Sequence, residues 1–132
     1  MKFIPIDPPR KFEVAGAGVR LHLSDCGRVA LAADEQVTFT TEAGGEFDVT
    51  RKSWGFYATP STNGRLRRFG LRAALVRNVA GRLFVVLVEQ GKEAEFLAYV
   101  EADRQTLLTW LDDDASVERI AALLGQPGAA GK

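Results

Sequence analysis

The hydrophobic pattern of the chain reads as strands first and helices last. Residues 19–23 (VRLHL) alternate apolar and polar positions, the period of a half-buried strand. Residues 11–14 begin a strand before them, across an AGAG loop at 15–18. Residues 24–27 (SDCG) carry turn residues, and 28–32 predict a returning strand. Residues 36–41 (QVTFTT) predict another, with Val37 and Phe39 inward. Ahead of all these, Pro5, Pro8 and Pro9 make residues 1–10 an extended arm, lying on the surface or on a partner.

The middle of the chain predicts a hairpin with two different faces. Residues 46–58 form a long strand in which Lys52, Trp54 and Phe56 share one face, and Arg51, Ser53, Gly55 and Tyr57 the other. Asn63-Gly64 is a strong turn signal, because both residues tolerate positive φ. Residues 66–77 return, with Phe69, Leu71, Ala73 and Leu75 on one side and Arg68, Gly70, Arg72 and Ala74 on the other. A two-residue turn sets Phe56 opposite Leu71 and Trp54 opposite Ala73, a sensible core face. It also sets Tyr57 opposite Gly70, with Arg68 and Arg72 on either side. A wider loop around Pro60, or a slip of one residue, exchanges those faces.

Residues 78–81 (NVAG) turn the chain again. Residues 83–88 (LFVVLV) are apolar on both faces and predict a central strand. Residues 91–103 predict a helix, with Phe96, Leu97, Tyr99 and Val100 inward. Two threonines and a tryptophan in 106–111 favour a last strand over a longer helix. Residues 115–124 predict a short helix that Gly125 stops, and 126–132 a disordered tail. The expected fold is a single α+β domain over residues 1–125. Its core is a curled antiparallel sheet or partly open barrel of about six or seven strands, with one or two helices near the C-terminus.

Composition narrows the picture. The chain has 132 residues, 46% hydrophobic and 26% charged, the profile of an ordinary globular domain. The longest apolar run is too short to span a bilayer, and the prolines and Asp7 break any leader-like segment at the start. The expected location is cytoplasmic, with no membrane. One cysteine excludes an internal disulfide, and one histidine excludes a His-rich metal site.

Charge changes the picture more. The chain is neutral, with 17 basic and 17 acidic residues. Yet residues 49–88 hold eight basic residues and no acid. A charge separation of this kind favours an anionic partner. The candidate ligand-binding residues are therefore Arg68, Arg72 and Tyr57, with Ser53 and Arg51 beside them. Arginine forks suit phosphate or carboxylate, and the tyrosine supplies a stacking face or a hydroxyl. The competing explanation is that these arginines pair with residues 89–114, which carry eight acids against two bases. Trp54 and Phe56 read as core rather than ligand contacts.

Other candidates carry less. Asp112-Asp113-Asp114 lack ligand spacing for a divalent metal and suit a helix N-terminus instead. Cys26 and His22 have no third group to complete a nucleophilic site. Gly16-Ala17-Gly18 is not a dinucleotide fingerprint, and Gly81-Arg82 does not continue into a phosphate loop. No catalytic residue, metal or cofactor is expected.

The leading expectation is a non-catalytic module that binds a small anion such as a nucleotide, sugar phosphate or acidic sugar. The alternative is a protein-interaction module or homo-oligomer in which the basic hairpin meets the acidic 89–114 segment. An enzyme using Tyr57, Ser53 or an acid as proton donor ranks third, because no acid/base constellation is present. A sequence pI near 6.6 argues against nucleic acid as the partner.

Overall fold

A computed structural model describes residues 1–57 and 61–125. The expected strand at Ala58, the Pro60 end of the turn and the 126–132 tail lie outside those residues. The described chain is α+β, with eight strands in three small antiparallel sheets and three helices. None of the sheets is closed or strongly curled, so the expected single barrel-like sheet does not form.

The first sheet is one long hairpin, β1 (Lys2–Ala15) against β2 (Arg20–Ala30). The proline-rich arm is therefore a paired strand. It pairs because the prolines sit where the register breaks: Pro5 faces Gly27, Arg10 faces Asp25, and Pro8 and Pro9 fall in the interruption. A proline has no N–H to give a ladder, and a bulge removes the need for one. The expected turn at 24–27 is absorbed into β2.

The hairpin tip docks on the C-terminal end of a later helix. The backbone N–H groups of Gly18 and Val19 donate to Asp103 Oδ1 at 3.0 and 3.1 Å. Gln105 Nε2 donates to the other oxygen at 2.9 Å. A Cβ on Gly18 would overlap the Ala102 carbonyl oxygen, so only glycine allows this approach.

The second sheet is β3 (Gln36–Thr40), β4 (Glu46–Lys52) and β5 (Gly55–Tyr57), in that order. The expected long strand folds back on itself at Ser53-Trp54. Lys52 pairs with Gly55, whose φ of +149° suits glycine alone. Trp54 sits at the tip and is 71% exposed, and Phe56 is exposed as well. Neither is core.

After the turn residues, the expected strand at 66–77 divides. Arg65–Arg68 is one helical turn, α1, and Leu71–Arg77 is β6. Ser61 Oγ accepts the Arg65 N–H at 3.0 Å, and Gly70 at φ +83° releases the chain into β6. Leucine and arginine are good helix formers, and only Leu66 needs a buried place here.

The third sheet places β6 between β7 (Leu83–Glu89) and β8 (Thr106–Trp110). Residues 83–88 thus form an edge and not the centre. Between β7 and β8 runs α2 (Glu93–Ala102), and α3 (Asp114–Leu124) closes the described chain. Asp113 caps α3 by accepting the Ser116 N–H at 3.0 Å.

The core is small. Leu66, Leu71 and Ala73 are buried together, with Phe47, Leu87 and Leu111 packed around them. On the opposite face of the sheet, Ala74, Val76 and Val88 are buried beneath α2, which buries Val100. Those seven are all the buried apolar residues among the described ones, few for a chain of this length.

Candidate functional site

The five residues singled out by charge and face come to rest in separate places. Arg72 lies on β6 and points across to β8. Its Nε donates to Asp112 Oδ2 at 3.0 Å and its Nη2 to Asp112 Oδ1 at 3.2 Å, a two-pronged fork. Nη1 reaches Glu93 Oε2 at 3.4 Å, at the start of α2. The guanidinium carbon stands 3.8 Å from the ring centroid of Trp110. Hydrogen bonding to Asp112 raises the Arg72 pKa above its ordinary value. Arg72 is one quarter exposed at most, while the Asp112 side chain is fully buried. This arginine joins β6, β8 and α2 together.

Arg68 behaves differently. It projects from α1, exposed, and its guanidinium has no partner among the described residues. Arg67 beside it makes one long hydrogen bond, 3.4 Å, to the Asp112 carbonyl. Arg65 pairs with Asp48 at 2.9 Å and lies over Phe69. Ser61, Asn63, Arg67, Arg68 and Gln90 surround an open depression of about 500 Å³.

Tyr57 pairs with Thr50 across β4–β5, so it does not face Gly70 or stand between Arg68 and Arg72. It lines a small cleft of about 160 Å³ with Gln36, Asp48, Thr50 and Arg65. Arg51 faces Phe56, donates to the Gly55 carbonyl at 3.3 Å and lies over the Phe56 ring. Ser53 occupies the exposed turn next to Trp54. The five therefore form no single surface. Tyr57 meets Arg65 in place of Arg68 or Arg72.

A third cavity, of about 350 Å³, opens between the β1–β2 hairpin and the third sheet. It is mainly apolar, lined by Val14, Leu21, Val76, Phe84, Phe96 and Tyr99. Asp103 sits at its rim, its pKa held below the ordinary carboxylate range by the Gly18 N–H first, with Gln105 and Val19 adding to it.

The surface features that charge reasoning missed are apolar. Leu83 and Val85 on β7 are 60% and 61% exposed, and Phe84 is exposed too. Phe3, Ile4 and Val29 on the hairpin are also open to water, as are Trp54 and Phe56. The signal for β7 was present in the sequence as an uncharged six-residue run. Its edge position was not.

Among the described residues no helix is long and apolar enough to cross a membrane. No family model, curated protein or solved structure matches this chain. What it does must be argued from its own surface.

Proposed function

We propose that this protein is a non-catalytic interaction module whose exposed sheets are completed by a protein partner. One observation carries the reading. The chain, with the ten residues outside the described set included, exposes 9296 Å² of surface. A folded monomer of 14.4 kDa exposes about 6,800 Å² by the usual scaling with mass. A surplus of that order belongs to a chain that is compact only in company. The exposed leucines, valines and aromatics of β7, the hairpin and the β4–β5 tip supply the apolar part of that surplus. The expected pairing of a basic hairpin with the acidic 89–114 segment becomes a lesser contribution. Asp112 and Glu93 already hold Arg72, and Asp103 holds the hairpin tip.

The test combines sedimentation velocity with binding of an apolar fluorescent dye such as ANS. The reading predicts either self-association or a monomer that binds the dye at saturable sites. A monomer that does neither overturns it.

A second reading is favoured by Arg68, whose guanidinium has no partner among the described residues. A small phosphate- or carboxylate-bearing ligand would sit in the depression of α1, held by Arg68 and Arg67, with Gln90 and Asn63 as neutral hydrogen-bonding groups. Such binding would weaken as salt rises. Thermal shifts across a panel of anionic metabolites test it: equal shifts in the wild type and in Arg67→Ala/Arg68→Ala would remove it. Arg72 is left intact in that experiment because its loss would disturb the fold.

A further inference from the structure

We infer that a second copy of this chain adds along the outer edge of β7, antiparallel, about a two-fold axis near Val85. The inference rests on the partner-completed reading above and names the partner. Two three-stranded sheets become one sheet of six strands.

The edge is built for such an addition. β7 pairs with β6 without a register break from Leu83↔Arg77 to Glu89↔Leu71. Its other side carries no main-chain hydrogen bond among the described residues; the β1–β2 hairpin stands across the cavity of about 350 Å³ from Val85 without bonding to it. A row of free N–H and C=O groups is a template for another strand. Natural edges are blunted by lysine, proline, bulges or a covering loop. Residues 83–88 contain no charge and no proline, and no bulge interrupts them. The other edge of the same sheet, β8, has a register shift opposite Leu75 and Val76. The β1–β2 hairpin is interrupted at its prolines. The 83–88 run of β7 alone among these is long, regular and uncharged.

A second copy fits this edge better than an unrelated chain. An antiparallel two-fold contact near Val85 sets Val85 against its own counterpart and makes every other contact reciprocal, residue 83 of each copy meeting residue 87 of the other. The arginines of α1 would repel one another in such an arrangement, whereas Leu83 and Val85 would pack on Leu87 and Val85. The ends of the strand are complementary too. Arg82 precedes it, exposed, with no partner for its guanidinium among the described residues, and Glu89 ends it, half-buried and paired with Lys92 at 3.2 Å. Antiparallel pairing brings the Arg82 end of each strand beside the Glu89 end of the other.

The chain as a whole has surface to spare, shared among β7, the hairpin and the β4–β5 tip. An allowance of about 1,400 Å² for the ten residues outside the described set is more than an unfolded chain of their mass exposes. The remaining chain still exceeds the scaling for its mass by about 1,400 Å². A standard stable interface needs about 800 Å² from each partner.

Two variants test the inference by sedimentation equilibrium over a concentration series. Leu83→Lys/Val85→Lys places charges at exposed positions, so the monomer fold should survive. The inference predicts a wild-type dimer and, in this variant, a dissociation constant raised at least about 100-fold. Val85→Cys in a Cys26→Ser background should form a disulfide-linked dimer on mild oxidation. Residues opposed across an antiparallel pair have Cα atoms about 4.5–5.5 Å apart, within disulfide reach. If the lysine variant fails to fold, the crosslink decides, and its absence overturns the inference.

The remaining outcomes separate the inference from the reading beneath it. A wild-type dimer that survives both lysines, or that gives no crosslink, overturns the β7 assignment and leaves the partner-completed reading standing. A dye-binding wild-type monomer likewise overturns the inference alone. A monomer that binds no dye overturns both.

Discussion

Arg72→Met is the sharpest probe of how the basic block is used. The substitution keeps the length and the apolar stem and removes only the guanidinium. Asp112 would then lose both prongs of its fork while its carboxylate stays fully buried. Breaking a buried pair from one side costs about 3–5 kcal/mol, because the remaining charge is uncompensated. Arg72 retains some exposure, so water can reach the vacated space, and the lower end is the better figure: about 3 kcal/mol. Loss of the contact with Trp110 adds to this without changing the order of magnitude. For a domain of this size, with a urea m-value of about 1.5 kcal/mol per molar, the unfolding midpoint should drop by about 2 M. Circular dichroism in urea at one fixed protein concentration measures it, since self-association makes stability depend on concentration. Arg72→Met/Asp112→Leu, which removes both charges, should recover most of the loss. If Arg72→Met moves the midpoint by less than about 0.5 M, the arginine is not part of the fold's frame. It would then be free to bind a ligand, and the assignment of Arg72 to the interior would be wrong.

Two further outcomes follow from the hairpin dock and the caps. Gly18→Val should destabilise by about 1–3 kcal/mol, since any Cβ there meets the Ala102 carbonyl; a change within about 0.5 kcal/mol in the same urea titration would mean the hairpin tip is not seated on α2. Asp103 and Asp113 both have folded pKa values below the ordinary range, Asp103 through the Gly18 N–H and Asp113 through the Ser116 hydroxyl. Both therefore favour the folded state above a carboxylate's ordinary pKa. That contribution disappears as pH falls through the lowered values, so urea midpoints should decline from about pH 5 downwards. Asp103→Asn should flatten part of that decline, and an unchanged slope would remove Asp103 from this role.

Some elements were legible because their signals are local. Residues 106–110 carry β-branched and aromatic side chains over a strand's length. Residues 93–102 and 114–124 present helical spacing, and the second has a capping aspartate in front of it. The middle of the chain was not legible for the same reason. Residues 46–57 alternate without a break, so nothing but Gly55 marked the tight reversal at Ser53-Trp54. One turn of helix at Arg65–Arg68 is shorter than any periodicity can register. The run at 83–88 shows why apolar on both faces does not mean central: one face lies toward α2, and on the other Leu87 packs on the core while Leu83 and Val85 are open.

The site followed the same division. Opposite charges in 49–88 and 89–114 announced that some arginines would be neutralised within the fold. Which ones depended on the pairing of β6 with β8, which brings Ala74 beside Trp110 and so Arg72 to Asp112. Arg68, four residues earlier, ended on a helix, and its guanidinium has no partner among the described residues. A one-dimensional charge count cannot distinguish the two.

Amide hydrogen exchange across β7 tests the central claim most directly. In a lone edge strand, alternate amides bond to β6 and the others face water. If a second strand completes the sheet, consecutive amides from 84 to 88 are all protected, and dilution below the association range releases every second one. Alternating protection that stays the same at every protein concentration would contradict the account.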